Sequence, residues 1–429
     1  MEFQFSPEDE SFRQEVREFL KKELPPDWEG VMGELQPENF EIERHMRKKL
    51  AEKGWLALAW PKEFGGSEAG IIRQLVFNEE MTYNRSPGRD GQGIGLIGPC
   101  IMVHGTDEQK SEHLGRIARG EVVWCQGFSE PGSGSDLASL QTRAERDGDD
   151  YVINGQKVWT TYAHLADWIH VLTRTDPDAP KHRGITYFLL DMKTPGIEIR
   201  PLINMANGHG FNEVFFNNVR VPAKNILGEE NRGWYAATTT LDFERSMVGF
   251  SASMRRLLED TIEYLKERKN GGSSPLDDPL VRHKLADLSL SVHVSRMLAY
   301  RVAWMQSQNL VPNMEASMGK AYSTELNQRV ARTLMEILGM SGQMEPKQRR
   351  SPMAGRVESL YLHSISSTIA AGTSEIQRNI IATRGLGLPR YRMRRRHRNR
   401  RMRTPFPGAL VPSSPTGPWA LWTEDNAAP

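Results

Sequence analysis

The chain has 429 residues and a mass of 48.7 kDa, a length that suggests two or three domains with a large core. Hydrophobic residues make up 38% and charged residues 25%, a composition that excludes a wholly disordered protein. No run of about 18 apolar residues is present and the acidic N-terminus lacks an apolar secretory core, so we expect no membrane span. Cys100 and Cys125 form neither a disulfide framework nor a CxxC pair, which favours a cytoplasmic protein.

The net charge of +1 conceals a strongly basic C-terminal segment. Nine arginines lie between Arg390 and Arg403, whereas residues 1–385 carry 46 basic and 52 acidic residues. The segment lacks hydrophobic periodicity and precedes a stretch rich in Pro, Ser and Gly, so we expect residues 390–429 to be a disordered tail. The alternative is a binding role, since clustered arginines hold the phosphates of nucleic acid or anionic lipid. We favour the plain extension and expect no nucleic-acid partner.

The first 121 residues read as an N-terminal helical domain. Ser6 is followed by Pro7, Glu8 and Asp9, which together supply a cap, a first-turn proline and acids that complement the helix dipole. A helix therefore begins here. Apolar residues then recur at helical spacing in four later segments. These predicted helices span 38–53, 71–84, 93–104 and 107–118.

The pattern changes near residue 122, where segments become rich in β-branched and aromatic residues. Gly, Asn, Asp and Pro residues separate these segments, as expected for turns between strands. The clearest strands are predicted at 151–161, 184–192 and 213–222. We therefore assign residues 122–230 to a middle β-domain.

Helical periodicity returns after the β-domain and predicts a helical bundle over residues 231–389. One pattern without an internal proline runs from about 232 to 268, and two further long helices are predicted over 279–308 and 313–339. Long apolar-striped helices joined by short turns are typical of up-and-down bundles. The predicted fold class is therefore α+β.

Four short segments have the composition of a ligand site, although each also has an ordinary structural explanation. The segment QGFSEPGSGSD at 126–136 offers backbone N–H groups to a phosphate or a flavin ring, or is simply a loop. Trp159, Thr160 and Thr161 end a strand with a planar face and two hydroxyls, or belong to the core.

The other two segments are predicted to be helical. LDFER at 241–245 contains Glu244, which acts as a general base if it is desolvated, or else lies on a solvated helix face. AAGTSEIQR at 370–378 contains a Gly-Thr pair before a helix whose first N–H groups can bind an anion, or is an ordinary helix start.

Taken together and in this order, these segments resemble the acyl-CoA dehydrogenase family. QGFSEPGSGSDLA, NGQKVWTT, GWYAATTTLDFER and AGTSEIQRNIIATRGLGLP each look like family signatures, and the match covers about residues 5–389. The resemblance implies an N-terminal helical domain, a middle β-barrel or sandwich and a C-terminal four-helix bundle. It also implies FAD as the cofactor and an acyl-CoA thioester as the substrate.

The resemblance also implies roles for individual residues. Trp159 and Thr161 match residues that pack against and hydrogen-bond the isoalloxazine ring. Arg268 matches an arginine that binds the FAD pyrophosphate of a neighbouring subunit, and Gly339 falls where the neighbour's adenine end is held. The implied FAD contacts are Phe128, Ser129, Gly134, Ser135, Trp159, Thr161, Arg268, Gly339, Thr373 and Glu375. The implied substrate contacts are Ser135, Asp242, Arg245, Ala371 and Gly372.

One departure from the family pattern determines the predicted catalytic residue. Many members have the catalytic glutamate directly before the Gly-Thr pair, where this chain has Ala371. Members similar to isovaleryl-CoA dehydrogenase also have alanine there and carry the base on the long helix, immediately before an arginine. Glu244 and Arg245 match that arrangement. The resemblance thus implies that Glu244 takes the α-proton, that hydride passes to flavin N5, and that the amide of Ala371 hydrogen-bonds the thioester carbonyl.

The distance between Glu244 and Arg268 bears on the arrangement of subunits. On one straight helix Glu244 and Arg268 would lie about 36 Å apart, so both cannot serve the reacting end of one cofactor. This geometry supports sites that each draw on two chains, and the resemblance implies a homodimer or homotetramer with electron transfer flavoprotein as the electron acceptor. The alternatives are a flavin monooxygenase or nitroalkane oxidase on the same fold, and one subunit of a hetero-oligomeric dehydrogenase. The histidines lack metal-ligand spacing, so no metal is expected.

Overall fold

The structure is a computed structural model that describes residues 4–31, 39–243, 247–268, 272–346 and 348–389, with the backbone alone for 239–243. The described helices and strands all lie within one compact unit, Met1–Leu388. The tail at 390–429, predicted to be disordered, lies outside the described residues. None of the helices that the structure describes has both the length and the apolar character needed to cross a bilayer.

The N-terminal part is helical, as predicted. The side chain of Ser6 accepts a hydrogen bond from the backbone of Asp9, and Pro7 is the first helical residue. Phe12 and Val16 are buried on one face of this helix, which packs into the core of the N-terminal part. The helices are α1 (Pro7–Glu23), α2 (Phe40–Glu52), α3 (Ile71–Tyr83), α4 (Gly98–His104) and α5 (Asp107–Ala118), with a π-helical turn at Gly93–Ile97.

The middle part is a single seven-stranded β-sheet. The sequence predicted a barrel or a sandwich here, and the structure describes one sheet. Its strands are β1 (Trp124–Gly127), β2 (Arg143–Asp147), β3 (Asp150–Thr161), β4 (Trp168–Arg174), β5 (Ile185–Asp191), β6 (Ile197–Leu202) and β7 (Phe211–Pro222). The spatial order is β1-β4-β2-β3-β7-β6, and β5 pairs with β4. The three predicted strands are confirmed as β3, β5 and β7. Sequence analysis does not delimit the other four.

Helix α6 (Gly233–Phe243) begins directly against this sheet. Ala236 and Ala237 are buried in one cluster with Phe128, which follows β1, and with residues of α4 and α5. Gly233 is required for this packing, because a Cβ atom there would lie 2.5 Å from the backbone nitrogen of Tyr187.

The C-terminal part is a helical bundle. One continuous helix from about 232 to 268 was the prediction, and it is wrong: the structure has α6 and a separate helix α7 (Val248–Glu267). Met247 precedes α7 with φ −91° and ψ 12°, outside helical geometry. The estimate of about 36 Å for a straight helix therefore does not apply. The remaining helices are α8 (Pro279–Ser307), α9 (Asn313–Leu338), α10 (Arg356–Ser367) and α11 (Ser374–Ile380).

A buried ionic network joins the N-terminal helices to the bundle. The carboxylate of Glu79 accepts hydrogen bonds from Arg13 at 2.9 Å, from Arg296 at 2.5 Å and from the hydroxyl of Tyr300 at 2.7 Å. Burial acts to raise the pKa of Glu79, but these donors outweigh it and lower the pKa below its usual value. The network therefore ties α1 and α3 of the N-terminal part to α8 of the bundle.

Candidate functional site

The Gly/Ser-rich loop after β1 turns tightly and leaves its glycines open. The backbones of Glu130 and Ser133 exchange hydrogen bonds of 2.8 and 3.0 Å. Nothing lies within 4 Å of a Cβ atom placed on Gly132 or Gly134, and Gly134 and Ser135 are exposed. Backbone groups of this loop are therefore accessible to a ligand that a side chain would exclude.

Trp159 combines a strained backbone with an exposed ring. Its φ is +60° and its side chain is 60% exposed, while Phe211 meets the ring edge-on at 6.0 Å between centroids. A non-glycine residue in the left-handed region costs about 1–3 kcal/mol and persists only where the surroundings enforce it. The register of β3 against β7 shifts between Lys157 and Thr160, which accommodates this conformation. Strain combined with an exposed aromatic face is typical of a binding site.

The structure brings the two predicted flavin-contacting segments together. The backbone of Val158 donates to the carbonyl of Ser129 at 2.9 Å, so Phe128 and Ser129 lie beside the strand that ends in Trp159 and Thr161. Phe128 is buried, whereas Ser129 and Thr161 are half-buried. An exposed indole face beside a loop with open glycines fits a planar ring that is joined to a phosphate chain. The residues present therefore fit FAD.

A polar cluster that was not predicted from the sequence lies at the end of β3. The buried side chain of Asn212 donates to the carbonyl of Thr160 at 3.1 Å, and its oxygen accepts from His209 at 2.9 Å. The Nδ1 atom of His164 is also within hydrogen-bond distance of the Asn212 amide. The two imidazole rings stack at 4.0 Å between centroids. The cluster fixes the backbone next to Thr161. Its signal in the sequence was weak, because His164 lies 48 positions before Asn212 and no motif links the two.

The loop before α11 holds two consecutive residues in the left-handed region. Ala371 has φ +51° and Gly372 has φ +84°. Their carbonyls accept hydrogen bonds from buried partners: Lys320 Nζ lies 2.8 Å from the Gly372 oxygen, and Gln377 lies 3.2 Å from the Ala371 oxygen. Among the described residues, no backbone carbonyl accepts a hydrogen bond from the amide of Ala371. Side chains thus hydrogen-bond the carbonyls of Ala371 and Gly372, whereas the amide of Ala371 is available to a ligand.

Thr373 and Glu375 lie at the start of α11, as the sequence predicted. The hydroxyl of Thr373 caps the helix by accepting from the backbone of Ile376 at 3.2 Å. Glu375 is exposed, and hydrogen bonds from its own amide and from Thr373 lower the pKa of its carboxyl. Within the described part of the chain, no hydrogen bond joins this loop to the Trp159 region, so the two are separate parts of the candidate site.

Replacing Lys320 by methionine is expected to lower about tenfold the rate of a reaction that uses the Ala371 amide, and to leave FAD binding nearly unchanged. The substitution removes two charged hydrogen bonds, to the carbonyls of Gly372 and Ser367, and each such bond contributes about 1.5–3 kcal/mol. Steady-state kinetics with FAD titration measures both quantities. Lys284→Met is the control, because it breaks an exposed 2.7 Å pair with Glu336 on the same bundle. Equal effects of the two variants would contradict a role for Lys320.

A second group of predicted residues meets at another end of the bundle. Arg268 follows α7, and its guanidinium donates to the hydroxyl of Ser341 at 3.2 Å. Gly339 ends α9 with φ +57°, and a Cβ atom there would meet nothing within 4 Å. The structure therefore brings Arg268 close to the Gly339 turn, although the two residues lie 71 positions apart.

The predicted catalytic glutamate lies outside the described residues, as does Arg245. Asp242 belongs to the last turn of α6, where the structure describes the backbone only. Helix α6 itself is well anchored, since Cys100 of α4 donates to the carbonyl of Ala236 at 3.2 Å. The part of the chain that the structure describes contains no group of three His, Cys, Asp or Glu residues able to hold a metal ion.

Comparison with known proteins gives a consistent family assignment. The model of the acyl-CoA dehydrogenase N-terminal domain matches residues 6–121, that of the middle domain residues 125–219, and that of the C-terminal domain residues 231–386. The acyl-CoA dehydrogenase FadE26 of Mycobacterium tuberculosis is 35% identical over 399 residues, which are 91% of this chain and 99% of the relative.

Two solved structures agree with this assignment. The steroid ACAD Tcur3481-Tcur3483 has a TM-score of 0.82 and 34% identity, covering 91% of this chain and 100% of that chain. The ChsE4-ChsE5 complex from Mycobacterium tuberculosis has a TM-score of 0.81 and 34% identity, again covering 91% and 100%. Because the three domain models follow one another along the chain and these relatives match over nearly their whole length, the chain belongs to the acyl-CoA dehydrogenase family of FAD-dependent oxidoreductases.

Proposed function

We propose that this chain converts an acyl-CoA thioester to a trans-2-enoyl-CoA, with Glu244 as the catalytic base. The observation that carries the proposal is the loop containing Ala371, which keeps an available amide and has no carboxyl group. That amide supports charge development on a thioester oxygen, whereas the proton acceptor must come from another element. Glu244 follows α6, the helix whose start is packed against the sheet beside Phe128.

The proposed chemistry divides the work among residues of this chain. The Glu244 carboxylate removes the α-proton, and the amide of Ala371 holds the thioester oxygen. The exposed ring of Trp159 presents apolar surface that keeps water from the reacting carbons. FAD, when bound, supplies the acceptor for the β-hydrogen and its electron pair. We propose electron transfer flavoprotein as the protein that reoxidises the enzyme.

The acyl group that we propose is bulky, branched or polycyclic. This proposal rests on the predicted base position and on the relatives, which include a steroid ACAD. Both solved structures named above carry the names of two different chains. We therefore also propose that a second, related chain completes the assembly in the cell, as an alternative to a homodimer or homotetramer.

Anaerobic mixing with a panel of acyl-CoA thioesters tests the activity. We expect bleaching of the flavin absorption with bulky or branched thioesters, followed by recovery when electron transfer flavoprotein is added. Absence of bleaching with every thioester, together with oxygen-dependent turnover of another substrate, would instead support an oxidase or monooxygenase. Size-exclusion chromatography of the chain purified alone tests the assembly. FAD retained by a symmetric oligomer would argue against the need for a second chain.

A further inference from the structure

A buried ammonium group lies behind the predicted flavin-facing residues. The side chain of Lys157, two positions before Trp159, is fully buried. Its Nζ donates to the carbonyl of Phe128 at 3.1 Å and to the carboxylate of Glu130 at 2.7 Å. A single side chain on β3 therefore holds two residues of the loop at 126–136. A lysine is seldom fully buried, because removing a charge from water is costly unless that charge is paired.

The carboxylate of Glu130 accepts three hydrogen bonds. Besides the bond from Lys157, it accepts one from the backbone amide of Gln141 at 2.6 Å and one from that of Thr142 at 2.9 Å. A buried ion pair is tolerated when its geometry is good and its remaining hydrogen bonds are made. Both conditions hold here. The pair thereby joins three segments: the Gly/Ser-rich loop, the start of β2 and the strand that leads to Trp159.

The pKa values agree with a tightly enclosed pair. Burial lowers the pKa of Lys157 to about 8, opposed by Glu130 and assisted by the positive charge of Arg174. Burial acts to raise the pKa of Glu130, but the charge of Lys157 and the hydrogen bonds from Lys157, Thr142 and Gln141 lower it overall. The lowered pKa of Glu130 is the direction expected for a carboxylate that is stabilised by a buried ammonium partner.

The position of the pair relates it to the cofactor. The backbone of Val158 donates to the carbonyl of Ser129, directly beside the contact between Lys157 and Phe128. The shift in register of β3 begins after Lys157, and Trp159 then adopts its left-handed conformation. Two hydrogen bonds therefore connect the flavin-facing segments directly: Lys157 to the carbonyl of Phe128, and Val158 to the carbonyl of Ser129.

We propose that Glu130 and Lys157 are positioning residues that set the spacing between the Phe128–Ser129 backbone and the Trp159–Thr161 segment for the flavin ring. Neither residue is proposed to touch the reacting atoms. The inference depends on FAD binding and not on Glu244 as the base. Failure of the proposed dehydrogenation therefore leaves it testable, and its own failure leaves the proposed function intact.

The experiment compares three variants of the full chain purified with FAD. Lys157→Met removes both hydrogen bonds and the charge, and we expect FAD to bind about tenfold more weakly or worse. The flavin that stays bound should show a shifted visible absorption band. Hydrogen exchange should rise in the backbone of 126–136. Lys157→Gln keeps a donor and should give smaller changes in the same direction.

Lys181→Met is the matched control. It breaks an ion pair with Asp136 on the same loop at the same 2.7 Å separation, but both of these side chains are more than half exposed. We expect FAD affinity to change by less than about twofold in this control, since exposed pairs contribute little. Folding is checked by circular dichroism and thermal melting, and only folded protein is compared.

Two outcomes would overturn the proposal. The first is a folded Lys157→Gln or Lys157→Met protein with the FAD affinity, flavin absorption and loop exchange of the wild type. The second is an equal loss in the Lys181→Met control. If Lys157→Met does not fold, Lys157→Gln decides the question by the same three measurements.

Discussion

Glu244→Gln is expected to bind FAD as the wild type does and to dehydrogenate acyl-CoA about 10²–10⁴-fold more slowly. Glutamine has nearly the shape of glutamate but cannot accept the α-proton, and general-base catalysis contributes a factor of this size. The amide of Ala371 cannot compensate, because it only stabilises charge on the thioester oxygen. Anaerobic stopped-flow measurement of flavin bleaching gives the rate, and the flavin absorption of the purified protein gives the occupancy.

A matched control and a rescue sharpen this test. Glu229→Gln alters an exposed glutamate just before α6 and should leave the rate unchanged. Ala371→Glu in the Glu244→Gln background restores a carboxylate at the position directly before the Gly-Thr pair, where many family members have the catalytic glutamate. Since Ala371 already has a Cβ atom in the left-handed region, a longer side chain adds little backbone strain, and we expect partial recovery. A full rate in Glu244→Gln alone would assign the base to another residue.

Mixing two inactive variants is expected to restore activity if each site draws on two chains. Arg268→Ala should lose FAD, because a charged hydrogen bond to phosphate contributes about 1.5–3 kcal/mol. In a heterodimer with Glu244→Gln, one site combines the intact Glu244 of one chain with the intact Arg268 of the other. Random reassociation gives about half heterodimers, so the mixture should recover about a quarter of wild-type activity.

The outcome of the mixing experiment depends on whether one chain or two chains supply Glu244 and Arg268 to a site, and not on the overall affinity for FAD. If Glu244 and Arg268 serve the same site within one chain, every mixed assembly contains only defective sites and no activity returns. Lys266→Ala is the control for Arg268→Ala, since Lys266 lies two residues earlier and pairs with Glu263 on the exposed surface. It should retain FAD. Loss of FAD in both variants would indicate general damage to the end of α7.

Local signals in the sequence were sufficient for most helices and for three strands. The cap at Ser6 and the apolar spacing of α1 depend on neighbouring residues only, so their prediction needs no knowledge of the fold. The continuous helix from 232 to 268 failed for the opposite reason. No proline or glycine pair marks the break before Val248, and helical periodicity continues through it.

The residues of the candidate site likewise divide into those predicted from the sequence and those found only in the structure. Trp159, Ala371 and Arg268 were identified by resemblance to a family, and the structure adds their left-handed backbone or their partners. Lys157 and Lys320 were missed, although both lie in well-marked segments. A lysine in a strand or helix is ordinarily solvated, and only the fold reveals that these two are buried.

The order of helical, β and helical parts, the family and the cofactor could all be predicted from the sequence, because periodicity, turn residues and contiguous motifs are local properties. Which distant residues meet is seen only in the folded chain: Lys157 with Glu130, Lys320 with the loop before α11, and Arg268 with the turn after α9. These contacts arise when helices and strands pack. Burial removes water as a competing partner and strengthens each hydrogen bond, but no local pattern in the sequence records which charged groups become buried.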